Sequence, residues 1–195
     1  SEYAAIPAVL AWKIPKEMPW DVGAVLEPIG VACHAVFMAG TAAKNVLVTG
    51  CGPIGMAAVG IAQALGARQV ICTDVSDQRL ELARKDWGAD VTLNPTKVDV
   101  VAEVRKLTDG LGADVVIEAV GARVTTQQAV AWATPGATIL WFGVTPPGQT
   151  IPVEPNEIFE KELTIKGARI NPFTHLRAVD LLASGQLRVE PLITR

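Results

Sequence analysis

The sequence predicts a doubly wound α/β fold, a parallel sheet of about six strands with helices on both faces. From residue 45 onward, short β-branched or apolar runs alternate with helix-length segments, the pattern of successive βαβ units. Glycines close these segments at Gly66, Gly88, Gly110 and Gly185, where a helix commonly turns left-handed as it ends.

The elements follow in order. Residues 1–20 mix prolines with apolar residues without a clear period and read as an extended arm. Over 21–39, Val25, Ile29, Ala32 and Val36 recur at helical spacing, with Pro28 interrupting or kinking the first turns. Strands are expected at 45–49, 69–74, 90–93, 114–119, 137–144 and 163–170. Helices are expected at 53–65, 77–87, 98–108, 125–133 and 173–184, with Ser76 capping the second of these.

Composition narrows the function classes. The chain has 195 residues, half of them apolar, and a net charge of −3. That size suits one domain of about 100–200 residues, and the absence of any like-charged block argues against a nucleic-acid partner. The apolar run 45–67 is broken by glycines and a proline, so no membrane span is expected. The start lacks a basic stretch followed by an apolar run, so it does not read as a signal peptide. Cys33, Cys51 and Cys72 are scattered and odd in number, which suits a reducing cytoplasm better than a disulfide framework. Both ends read as if cut from a longer chain.

The densest signal is Gly50-Cys51-Gly52-Pro53-Ile54-Gly55 between the first strand and its helix. In the dinucleotide fingerprint, Gly50 makes the turn, Gly52 lets a pyrophosphate approach the backbone, and Gly55 lets helix and strand pack closely. Pro53 fits the first helical position, where its missing N–H would have had no partner, and the free N–H groups there face the phosphates. Asp74 ends the second strand, where a carboxylate accepts hydrogen bonds from the adenosine ribose and repels a 2′-phosphate. No basic residue directly follows it, which favours NAD over NADP. Arg79, one helical turn on, is either a solvated charge or a cover over the adenine and ribose.

The nicotinamide half is expected at the later strand ends, because ligands of this fold cross the carboxyl ends of the strands. Val120 and Gly121 follow the fourth strand, Phe142, Gly143 and Val144 the fifth, and Ala168 and Arg169 the sixth. Each glycine there also reads as an ordinary strand-to-loop residue.

Other chemistry finds little support. Catalytic zinc needs three protein ligands and an open position, yet His34 and His175 are the only histidines. Cys33 and His34 are neighbours on a helix and diverge. No Cys-x-x-Cys, His-Glu-x-x-His or Gly-x-Ser-x-Gly is present, so no catalytic residue is assigned. Glu27 sits in an apolar setting beside Pro28 and reads first as a helix cap, second as a group poised toward a site.

Leu26-Glu27-Pro28-Ile29-Gly30-Val31-Ala32-Cys33-His34-Ala35-Val36 and Val48-Thr49-Gly50-Cys51-Gly52-Pro53-Ile54-Gly55 resemble the zinc-dependent medium-chain dehydrogenases, in their threonine and sorbitol dehydrogenase branches. Thr73-Asp74-Val75-Ser76, 108–115 and Pro191-Leu192-Ile193-Thr194 extend the likeness over essentially the whole chain. It implies a Rossmann domain at 21–195, with 1–20 an arm left from a catalytic domain that carries the zinc. It implies cofactor contacts at Ile54, Asp74, Arg79, Phe142, Gly143, Val144, Ala168 and Arg169. Glu27 matches the Glu-Pro glutamate that ligates or approaches zinc, without the partner ligands to hold metal alone. The expected parent is a cytoplasmic homo-oligomer, dimer or tetramer, oxidising a small alcohol, polyol or amino alcohol with NAD. A stand-alone NAD-sensing module and a zinc-free NADPH reductase are the alternatives.

Overall fold

The structure is a computed structural model that describes residues 4–171 and 173–193. Six strands form one all-parallel sheet: β1 (Asn45–Thr49), β2 (Gln69–Thr73), β3 (Val91–Leu93), β4 (Ala113–Glu118), β5 (Ala133–Trp141) and β6 (Thr164–Gly167). Their order is β3-β2-β1-β4-β5-β6, so the direction of winding reverses between β1 and β4. That reversal opens a crevice at the carboxyl ends of those two strands. The expected doubly wound α/β (Rossmann) architecture is observed.

The α-helices of the described residues are α1 (Trp20–Ala24), α2 (Leu26–Ala39), α3 (Pro53–Ala64), α4 (Asp77–Asp86), α5 (Val100–Leu107), α6 (Arg123–Trp132), α7 (Pro155–Glu160) and α8 (His175–Ala183), with 3-10 turns at Ala8–Leu10, within the expected arm, and Glu190–Leu192. Alternation along each strand divides the interior in two. Val46 and Val48 of β1 join Ile29, Ile61 and Val179 in one core, beneath α2, α3 and α8. Leu47, between them, joins Val104, Val130 and Ile139 in the other, beneath α5 and α6. Burying each such aliphatic side chain contributes about 1.5–3 kcal/mol.

Several boundaries differ from expectation. The helix foreseen over 21–39 is two helices that meet at Val25 (φ −94°, ψ 2°), ahead of Pro28. Pro28 falls in the first turn of α2, where the N–H it lacks would have no intrahelical partner. Strand β5 starts at Ala133 rather than 137, because Ala133 pairs with Ala113 before a register shift in β4. It ends at Trp141 because the Phe142 and Gly143 N–H groups turn to donate to the Glu118 carbonyl at 2.9 and 2.7 Å. Strand β6 spans only Thr164–Gly167, and Ile170, expected in it, is left-handed at φ 59°. The short helix α7, with a proline in its first turn, has too few residues to display a period.

All three cysteines are buried and free. Burial pushes the Cys33 thiol up to about 12, against the pull of the Arg177 guanidinium. A hydrogen bond with Cys72, reinforced by burial, raises Cys51 as well. Both remain thiols at neutral pH, so neither is an activated nucleophile.

Candidate dinucleotide-binding site

The glycine loop leaves β1 and enters α3 in two steps. Gly50 is left-handed (φ 85°) and donates its N–H to the Thr73 carbonyl at 2.7 Å, which ties the loop to β2. Gly52 is the residue before the helix, extended at φ −70° and ψ 176°. A Cβ built on Gly52 meets nothing within 4 Å, so an open surface lies above the loop. A Cβ on Gly55 collides with the Gly50 carbonyl, so only glycine allows α3 this close to the turn. The first helical bond runs from Met56 N–H to the Gly52 carbonyl at 2.8 Å. The Ile54 and Gly55 N–H groups precede it and have no intrahelical acceptor, and Pro53 occupies the first helical position.

Asp74 is buried at 8 % relative exposure. Its Oδ2 accepts from Cys51 N–H at 2.8 Å and its Oδ1 from Ser76 N–H at 2.9 Å. The carboxylate thus braces the glycine loop and the start of α4 together. Each oxygen keeps a lone pair for a ribose hydroxyl. Arg79 lies 3.8 Å from Asp74, with more than half of its side chain exposed. Ser76 caps α4 as expected, accepting from Arg79 N–H at 3.4 Å.

Beyond the carboxyl ends of β4, β5 and β6, one cavity of about 460 Å³ gathers Ile54, Phe142, Gly143, Val144, Ala168 and Arg169, with Glu27 also in its wall. Val120 and Gly121 do not line it, although their neighbour Ala119 does. Gly121 and Gly143 are more than punctuation. A Cβ on Gly121 (φ 76°) meets the Val144 carbonyl at 2.5 Å, and one on Gly143 overlaps the Gly121 backbone. The loops after β4 and β5 therefore pack backbone against backbone.

Glu27 is not a cap. Val25 is the N-cap of α2 and makes no side-chain cap bond. The Glu27 Oε1 accepts instead from Asn171 Nδ2 at 3.3 Å, and the same amide lies 3.0 Å from His175 Nε2. The His175 ring stacks on Trp12 at a centroid distance of 4.3 Å. Among the described residues no three His, Cys, Asp or Glu side chains cluster as a metal site. Glu27 with its amide neighbour is too small a donor set to hold zinc alone.

Two groups escape a reading of the sequence. Asn171 reaches Glu27 across most of the chain, a contact that no local pattern announces. Glu118, wholly buried at the end of β4, has one visible sign, a charge directly after the apolar run Val115-Val116-Ile117.

Residues 53–184 match the family model described as zinc-binding dehydrogenase. The chain belongs to that family, as its cofactor-binding part. It is 40 % identical over 196 aligned residues to the L-threonine 3-dehydrogenase of Pyrococcus horikoshii, covering all of this chain and 56 % of that one. Among solved structures, a zinc-binding dehydrogenase from Sinorhizobium meliloti 1021 bound to NADP superposes with a TM-score of 0.93 at 35 % identity, over 97 % of this chain and 56 % of the other. An alcohol dehydrogenase (rspB) of Escherichia coli CFT073 complexed with NADH gives a TM-score of 0.91 at 30 % identity, over 99 % and 56 %. The chain spans little more than half the length of these relatives. Among the described residues no helix is long and apolar enough to cross a membrane.

Proposed function

We propose that the chain is the NAD(H)-binding part of a zinc-dependent dehydrogenase that passes hydride between a secondary alcohol and NAD. One observation carries the reading: the Asp74 carboxylate, at the end of β2, is bonded to the N–H of Cys51 inside the glycine loop. It supports the reading because a carboxylate at the end of the second strand of this fold receives the adenosine ribose and repels a 2′-phosphate.

The residues have separate tasks. The N–H groups of Ile54 and Gly55 meet the pyrophosphate, helped by the dipole of α3. Asp74 receives the ribose hydroxyls, and Arg79 covers the adenine end. Phe142, Gly143, Val144, Ala168 and Arg169 form the bed of the nicotinamide half, with Val120 and Gly121 beside it. The nicotinamide, when bound, supplies hydride transfer.

For the whole enzyme we propose that Glu27 contributes to a zinc site completed by residues outside this chain. Residues 1–20 would belong to the catalytic domain and 21–195 to the cofactor domain. Likeness to threonine dehydrogenases supports a small amino alcohol or polyol as substrate. The chain by itself would bind cofactor without turnover, and the parent would be a cytoplasmic homo-oligomer.

Fluorescence titration with NADH and NADPH tests the cofactor assignment. NADH is expected to bind at least about tenfold more tightly, a difference of about 1.4 kcal/mol. Equal affinities would remove the selective role given to Asp74. Two observations favour a second reading, an NADPH reductase: Arg79 stands beside Asp74, and a similar structure holds NADP. Tighter binding of NADPH would establish that reading instead.

A further inference from the structure

Glu118 has a side chain at 0 % exposure and stands in the sheet between two neighbours, Thr49 of β1 and Trp141 of β5. It accepts every hydrogen bond its side chain makes. Its Oε1 takes the Val120 N–H at 3.0 Å, the Gly121 N–H at 2.9 Å and the Thr125 hydroxyl at 2.7 Å. Its Oε2 lies 3.2 Å from the same Gly121 N–H. Its backbone carbonyl receives Phe142 and Gly143. One residue therefore holds both strand-end loops, the one after β4 by its side chain and the one after β5 by its main chain. Those loops touch without an intervening side chain, since Gly121 and Gly143 admit no Cβ. A shift at Gly121 is passed directly to Gly143 and Val144.

We propose that Glu118 is a positioning residue for the nicotinamide half of the cofactor, fixing the relative height of the loops at 119–121 and 142–144 that form its bed. The proposal rests on the cofactor reading above. A buried carboxylate is costly to keep unless its bonds are satisfied, and a turn can be closed by neutral groups. Here the carboxylate serves three donors, the Val120 and Gly121 N–H groups of the loop that follows β4 and the Thr125 hydroxyl in the first turn of α6. The glycine loop and Asp74 have braces of their own, Gly50 N–H on the Thr73 carbonyl and Cys51 N–H on Asp74, although Ala119 and Val120 also pack beside Gly50.

The test compares NADH with ADP-ribose, which shares the pyrophosphate and both riboses but lacks nicotinamide. Calorimetric affinities are measured for the unaltered chain, E118A, E118Q and T125V, with thermal unfolding to check each fold. In E118A the NADH affinity is expected to fall about tenfold and the ADP-ribose affinity less than about threefold. E118Q keeps an acceptor at Oε1 but sets an amide against the Gly121 N–H, so it should fall between E118A and the unaltered chain. T125V removes one donor from Oε1 and should lower the ratio of NADH to ADP-ribose affinity about threefold. If E118A does not fold, E118Q and T125V decide by the same ratio.

Equal losses for both ligands, or an unchanged ratio in every folded variant, would overturn the proposal and leave Glu118 a structural residue. Failure of the unaltered chain to bind either ligand would overturn the cofactor reading itself, a result distinct from a changed or unchanged ratio among variants.

Discussion

Gly55→Ala is expected to lower NADH affinity about ten- to a hundredfold and to destabilise the fold by about 1–3 kcal/mol. The new methyl would overlap the Gly50 carbonyl oxygen and lie 2.9 Å from its carbon. A flexible side chain would move aside, but this neighbour is backbone. Gly50 is held left-handed and bonded to Thr73, and Cys51 is bonded to Asp74. Relief therefore requires α3 to rise off β1 or the loop to open, and either motion displaces the N–H groups of Ile54 and Gly55. Gly52→Ala is the natural comparison, because its Cβ meets open space and its backbone is extended. It should leave thermal stability nearly unchanged while costing affinity through contact with the pyrophosphate. Titration and thermal unfolding of both variants check this; full NADH affinity in G52A would mean that no phosphate approaches the loop there.

Asp74→Ser is expected to reduce NADH affinity at least about tenfold and to narrow the preference for NADH over NADPH by a similar factor. Two effects combine. The shorter hydroxyl cannot reach both Cys51 and Ser76, and a buried N–H left without an acceptor costs about 1–3 kcal/mol. That loss loosens the glycine loop for both cofactors. Removing the carboxylate also removes repulsion of a 2′-phosphate and leaves Arg79, now without its anion at 3.8 Å, free to face that phosphate. NADPH therefore loses less than NADH. An unchanged ratio of the two affinities would show that Asp74 does not read the ribose.

The parts of this molecule legible in the sequence are those whose constraints are local. Strand β1, the glycine loop and the start of α3 are such a stretch: the close approach that demands Gly55 is to Gly50, five residues before it, and the observed bounds of β1 match those expected. Asp74 is legible because a strand end and the helix after it fix its place. The start of β5 is not, because Thr134-Pro135-Gly136 reads as a turn, whereas the pairing of Ala133 with Ala113 and the Gly136 N–H bond to Lys161 extend the strand. Glu27 reads as a cap from its neighbours alone because its true partner, Asn171, is distant in sequence. Glu118 is legible only in part: its side-chain partners are near in sequence, but the hold of its carbonyl on Phe142 and Gly143 depends on β4 and β5 lying side by side.

In the proposed complex a dinucleotide lies across the strand ends, with its pyrophosphate over the glycine loop and its nicotinamide among the loops after β4, β5 and β6. Mapping backbone amide shifts of the isotope-labelled chain during NADH titration tests it most directly. Saturable shifts are expected at Gly52, Ile54 and Gly55, at Asp74 and Arg79, and at Gly121, Gly143, Val144 and Arg169. Shifts concentrated elsewhere, such as along the cavity lined by Val124, Gln128 and Glu157, or no saturable shift at all, would contradict it.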